Sequence, residues 1–146
     1  MRKSSLWFVL LSLLMVLGGC HGKKAPSSSG DINSSTPIKG LKTAYFDFDQ
    51  SEIRQDQAAT LQANADFLKA NSGVKTVVEG NCDERGTNEY NLALGDSRAR
   101  TTKNYIVNLG VDPDRMNTIS YGEERAVATC HDESCWWQNR RADFTK

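Results

Sequence analysis

A long helix between two strands constrains this chain more than anything else in it. "VKTVVEG" (74–80) is rich in β-branched residues and reads as a strand. Residues 88–109 follow as the longest helical stretch, with Leu92, Ala99, Thr102, Ile106 and Leu109 on the expected inner face and Gly110 as the stop. "MNTISYG" (116–122) is the next strand. A helix placed between strands has to lay its apolar face on the sheet they form, so the pattern predicts layers. Further strands and helices extend it. "TAYFDFD" (43–49) alternates, with Ala44, Phe46 and Phe48 on one side and Tyr45 and Asp47 on the other. Ile53, Ala58, Leu61, Ala65 and Leu68 recur at helical spacing before the Asn71-Ser72-Gly73 stop. "DESCWWQN" (132–139) is a short helix or turn and "RRADFT" (140–145) a last strand. The expectation is a layered α/β or α+β sandwich with its helices against one sheet. Periodicity does not fix the strand order.

The chain upstream of this domain has a different character. Met1, Arg2 and Lys3 precede the apolar run "LWFVLLSLLMVL" (6–17), which is too short for an ordinary membrane-spanning helix. "LGGC", Leu17 to Cys20, then resembles the lipobox of bacterial lipoproteins, in which the cysteine becomes the first residue and carries lipid. The resemblance implies a signal peptide over 1–19 and an S-diacylglycerol and N-acyl group on Cys20, with no other cofactor. His21, where an Asp would signal retention in the inner membrane, favours the outer membrane by the same resemblance. Residues 20–40 are rich in Ser, Gly and Pro and bury too little to offset their ordering entropy, so they are expected to form a tether. As a coil it would span roughly 25 Å, and about 70 Å fully extended. The domain is then expected over 41–146.

Loss of residues 1–19 removes Arg2 and Lys3 from the 18 basic residues and nothing from the 18 acidic ones, which leaves 16 against 18. That balance argues against nucleic acid, whose phosphates need a basic surface. Recognition has to come from individually placed charges.

"VVEGNCDERGTNEYNLALGDSRA" (77–99) supplies them. Asp83 lies just past a strand, where ligands collect in layered folds. Asn91 and Arg98 are seven residues apart, two turns along one helix face. A carboxylate, an amide and a guanidinium fork converging on one cleft would suit a ligand with both an ammonium and a carboxylate. Spacing alone leaves a structural alternative open, in which Asp83 caps the following helix and Arg98 bridges across the surface. Thr87 and Asn88 read as that helix's cap.

"YFDFD", "EGNCDERGTNEYNLALGDSRA", "SYGEE" and "NRRADF", in this order and spacing, resemble the family that shares the outer-membrane protein A C-terminal domain, and within it the lipoproteins that associate with peptidoglycan. The resemblance covers 43–146. It implies an α+β fold, a two-layer sandwich of helices on a mixed sheet of about four strands. It implies non-covalent binding of the peptidoglycan stem peptide, with Asp83 on the ammonium of diaminopimelate and Arg98 on its carboxylate. Asn91 and either Arg140 or Arg141 would support them, with Asp47, Phe48 and Gly80 nearby. It also implies an outer-membrane protein facing the periplasm, and the Tol system, including a TolB-like periplasmic β-propeller, as partners. Asn81 and Cys82 depart from the family, many of whose members have His and Ala or Thr there. The alternative is an envelope-assembly lipoprotein acting mainly through protein–protein contacts.

With Cys20 lipidated, three cysteines remain, and an odd number in an oxidising compartment means one pair and one thiol. The short "CHDESC" loop favours Cys130–Cys135, over free thiols, a Cys82 pairing or a metal held with His131. Trp136 and Trp137 are expected in core and interface packing, over a sugar-stacking platform. No Ser-His-Asp set or activated-water site is suggested, so the expected role is binding and not catalysis. The Cys20 expectation has a direct check. Mass spectrometry of the mature protein should find Cys20 at the N-terminus carrying the lipid, and Cys20→Ser should leave an unprocessed, unacylated precursor.

Overall fold

The structure, a computed structural model, describes residues 35–146. The expected signal segment, Cys20 and the tether up to residue 34 lie outside the described residues. Four strands, β1 (Ala44–Tyr45), β2 (Thr76–Asn81), β3 (Met116–Gly122) and β4 (Arg141–Thr145), form one sheet in the order β1-β4-β2-β3. β2 and β3 run parallel, while β4 is antiparallel to both β1 and β2. The sheet is therefore mixed, and the last strand of the chain lies at its centre. Helix α1 (Ala58–Ala70) and helix α2 (Asn88–Asn108) cover one face, and α3 (Glu133–Asn139) leads into β4. This is the α+β two-layer sandwich. No described helix is long and apolar enough to cross a membrane.

The parallel β2–α2–β3 unit follows from the sequence pattern, because parallel neighbours need a crossover and a helix supplies it. Between the layers lie Leu61, Ala65 and Leu68 of α1, Ala99 and Ile106 of α2, Val78, Met116, Ala142 and Phe144 of the sheet, and Ala44 and Phe46 at the first strand. The helix α2 face departs from expectation at one end. Leu92 is 37% exposed, and the inward positions of the first three turns are instead Asn91, Gly95 and Arg98. The apolar stripe is broken because this half of the helix faces polar loops.

β1 is shorter than the alternation at 43–49 predicts. Pairing stops after Tyr45, Phe46 is buried, and Phe48 turns out to be 53% exposed. The domain also begins before residue 41. Pro37 bridges to Thr145, the Ile38 amide donates to the Phe144 carbonyl at 3.1 Å, and Ile38 is buried. Two polar side chains fix the frame. Buried Asn64 bonds both backbone groups of Lys42, at 2.9 and 2.7 Å, and Arg115 donates to the carbonyls of Leu68, Asn71 and Val74 at 2.7–3.0 Å, satisfying the open end of α1.

Helix α2 crosses β2 at two glycines. A Cβ on Gly80 would lie 1.8 Å from the Gly95 carbonyl oxygen, and one on Gly95 would lie 2.3 Å from the Ser120 hydroxyl and 2.9 Å from the Gly80 oxygen. At Gly80 backbone meets backbone, with no side chain able to give way. Gly80, expected among the binding residues, is taken up by this crossing. Gly80→Ala should therefore cost about 1–3 kcal/mol by overpacking, read as a melting temperature lowered by several degrees. Gly73→Ala, whose Cβ meets nothing within 4 Å, should leave the melting temperature almost unchanged in the same experiment.

Candidate functional site

Past the end of β2 the chain makes a tight loop before α2. The Cys82 amide still donates to the Gly122 carbonyl at 2.7 Å. Asp83 then folds the backbone on itself, its Oδ1 accepting from the Arg85 amide at 3.1 Å. Gly86 takes φ +117°, a conformation that side chains disfavour, and Thr87 caps α2 by accepting from the Tyr90 amide at 3.2 Å. Asn91, buried in the first turn, binds the loop from behind. Its Nδ2 lies 3.2 Å from the carbonyls of both Asp83 and Arg85 and 2.6 Å from Glu123 Oε2. Its donors are thus spent within the protein. Asn91 shapes the loop and offers no free N–H to a ligand.

Two turns further on, Arg98 is 1% exposed. It does not bridge across the surface. Nε donates to the Gln50 carbonyl at 2.8 Å, Nη1 to the Asn81 carbonyl at 2.9 Å and Cys82 Sγ at 3.3 Å, and Nη2 to the Asp47 carbonyl at 3.1 Å. The guanidinium also lies 5.3 Å from the centre of the Phe46 ring. It joins the loop after β1 to the end of β2. Arginine carries five N–H donors, and these four bonds leave one. Burial lowers the pKa of Arg98, an effect the nearby Cys82 and Asp83 oppose. Burial pushes the Cys82 thiol up to about 11 against the pull of Arg98, so it stays protonated and donates to the Asn91 carbonyl at 3.3 Å.

Asp83, 3% exposed, is held from both sides. Oδ1 accepts from Arg85 Nε at 3.1 Å, and Oδ2 from Arg85 Nη2 at 2.6 Å and Arg140 Nη1 at 3.2 Å. Burial raises its pKa, but the bonds from Arg85 and Arg140 outweigh burial and hold it below the ordinary carboxyl range. A group with a depressed native pKa stabilises the fold above its unfolded value, and that contribution is lost only as pH falls through the depressed one. Arg140 also donates to the Phe46 carbonyl at 3.1 Å and pairs with Glu133. Arg141 turns the other way, to Asp143 at 2.7 Å and the Arg125 carbonyl at 3.0 Å. Of the two arginines left open by the sequence, Arg140 is the one joined to Asp83.

The Arg85 guanidinium lies between two aromatic rings, 3.8 Å from the centroid of Phe48 and 4.1 Å from that of Trp136. Cys130 and Cys135 are joined in a disulfide, Cα–Cα 5.5 Å, at the start of α3. This loop presents His131 at 2.7 Å and Trp136 Nε1 at 3.0 Å to the same Glu84 oxygen. Trp136 thereby lies at the rim of the site and not in the core, and Trp137, 45% exposed, leans on Tyr45 with ring centroids 5.4 Å apart.

Between these groups opens a cleft of about 230 Å³, lined by Phe48, Asp49, Cys82, Asp83, Arg85, Tyr90, Asn91 and Arg98, among others. Asp83, Asn91, Arg98 and Phe48 of the expected set meet here. Gly80, Arg140 and Arg141 do not line it, and neither does Asp47, whose exposed carboxylate pairs with Arg54 at 3.2 Å. Glu133 and Trp136 were not expected at the site, and Arg85, one of the charges at the strand end, was given no binding role. Asp-x-Arg in a turn hints at Arg85, but nothing in the sequence brings 133 and 136 to it.

The OmpA family model matches residues 45–140. A peptidoglycan-associated lipoprotein of Agrobacterium fabrum is 43% identical over 147 residues, covering 92% of this chain and 83% of that protein. One from Pseudomonas putida is 42% identical over 126 residues, covering 86% and 75%. The crystal structure of the peptidoglycan-associated lipoprotein from Burkholderia pseudomallei superposes with a TM-score of 0.69 at 45% identity, covering 70% of this chain and 87% of that one. With the sheet order and the loop after β2 in place, the chain belongs to the OmpA family, in its group of peptidoglycan-associated lipoproteins.

Proposed function

We propose that this domain binds peptidoglycan non-covalently, taking the diaminopimelate of the stem peptide into the cleft between β2 and α2. The observation that carries the reading is the meeting of a buried, ionised Asp83 and a buried Arg98 on one small cleft. Asp83 would receive the ammonium and the remaining N–H of Arg98 the carboxylate. Kinship with peptidoglycan-associated lipoproteins supports the same ligand. A lipid on Cys20 would anchor the chain to the outer membrane with the domain in the periplasm, and many copies facing one polymer would gain affinity by avidity. By the same resemblance, the Tol proteins and their periplasmic β-propeller would be its protein partners, during envelope constriction in division.

Because Arg98 also holds three backbone carbonyls, its removal should cost stability as well as binding, and the decisive variant is Asp83→Asn. Loss of one member of a desolvated charge pair costs about 2–5 kcal/mol, so Asp83→Asn should be lost from sacculus pull-downs while still folded by circular dichroism. Its melting temperature should be lowered, because Arg140 loses one of its charged partners. Stem peptides with lysine in place of diaminopimelate lack the distal carboxylate. They should bind the wild type more weakly yet lose little more with Arg98→Lys, a non-additivity that isolates the Arg98–carboxylate contact. Full sacculus binding by folded Asp83→Asn would sink the wall reading and leave the envelope-assembly lipoprotein, acting through protein–protein contacts, in its place.

A further inference from the structure

We infer that Arg85 is an internal stand-in for the ligand's cation: it fills a cage made by Asp83, Phe48 and Trp136, and a ligand ammonium enters by displacing it. The inference rests on the wall-binding reading for its natural ligand, and on geometry alone for the cage. Both oxygens of Asp83 are occupied, Oδ1 by the amide and Nε of Arg85, and Oδ2 by its Nη2 and by Arg140. No lone pair of a 3%-exposed carboxylate is left for an incoming ammonium while the Arg85 side chain stays. The walls of the cage are themselves suited to a cation. Two aromatic faces enclose the guanidinium at 3.8 and 4.1 Å, and Glu133 Oε2 lies 3.7 Å from Nη2.

Arg140 and Arg98 are wholly enclosed, but the Arg85 side chain is 29% exposed. Its Nη1 makes no hydrogen bond with any described residue, and Phe48, its outer wall, is half exposed. It is therefore the one of the three guanidiniums around the cleft with an open path to solvent. Arg140 would remain to keep Asp83 ionised. Binding then exchanges one cation for another at constant charge, and apparent affinity is reduced by the fraction of molecules in which Arg85 has left. A ligand must offer a cation that outcompetes a tethered guanidinium, which disfavours stem peptides without a free ammonium at this point.

The test titrates a soluble diaminopimelate-containing muropeptide into wild type, Arg85→Gln and Arg85→Lys, with melting temperatures recorded for each. Arg85→Gln should bind roughly ten-fold more tightly than wild type, as expected if Arg85 is in the cage about nine-tenths of the time. Arg85→Lys, which keeps a charge but lacks the planar fork, should fall between. Unchanged or weaker binding in folded Arg85→Gln overturns the inference and makes Arg85 a bystander or a direct ligand. Should that variant not fold, Arg85→Lys decides in the same way. If no form binds the muropeptide, the wall reading fails and a second probe judges the cage. Methylguanidinium should saturably fill Arg85→Ala, with a fluorescence change lost on Trp136→Phe, and leave wild type unaffected; no filling of Arg85→Ala overturns the cage as well.

Discussion

A single buried guanidinium organises the functional end of this domain. Arg98 reaches from α2 to the carbonyls of Asp47, Gln50 and Asn81, three points on two segments, the loop after β1 and the end of β2. Backbone carbonyls at the end of a sheet must be paired or hydrated, and here one side chain pairs those of both segments. Burying a cation is costly unless its donors are met. The nearly complete set of partners around Arg98 explains how a charged residue can be among the largest fully buried side chains of the described domain. The cleft inherits its shape from this knot.

Electrostatic layering follows from the same arrangement. Asp83 has Arg85 and Arg140 on it, and both of these arginines have Glu133 beyond them. Charges alternate outward from the cleft, so the ionised form of Asp83 is favoured although burial alone would oppose it. The outermost members are exposed, and their pairing contributes little by itself. Their contribution is to orientation: the disulfide-closed loop at Cys130–Cys135 brings Trp136 over Arg85, and Arg140, at the end of α3, leads into the central strand.

The glycine crossing sets the distance scale. With Gly80 against Gly95, the backbone of α2 comes close enough to β2 for Asn91 and Arg98, one turn to either side of Gly95, to reach the loop and strand end. Gly80 thus serves the site through spacing alone. A larger residue at either position would lift the helix and carry both polar side chains away from their partners.

Much of the fold was legible in the amino-acid order, because it is local. The β-branched run at 74–80, the long helical period and the Thr87 cap lie within a few residues of the groups they govern, and the structure returns β2, α2 and β3 almost to the residue. The spacing of Asn91 and Arg98 likewise put both on one helix face. What the spacing could not supply is what each side chain finds there. Leu92 turned outward and Arg98 inward because backbone carbonyls from 47–50, far away in sequence, face that part of the helix. Phe48 left the core because β1 ends at Tyr45, a length decided by pairing with β4 at the other end of the chain. Periodicity is blind to such pairings, since strand order depends on contacts between residues about a hundred positions apart. The sequence by itself determined the elements and the placing of Asn91 and Arg98 on one helix face just beyond Asp83. Only the tertiary structure decided which arginine meets Asp83, that Arg85 already occupies it, and that Trp136 closes over the pair, because each of these depends on where β4 and α3 fold back.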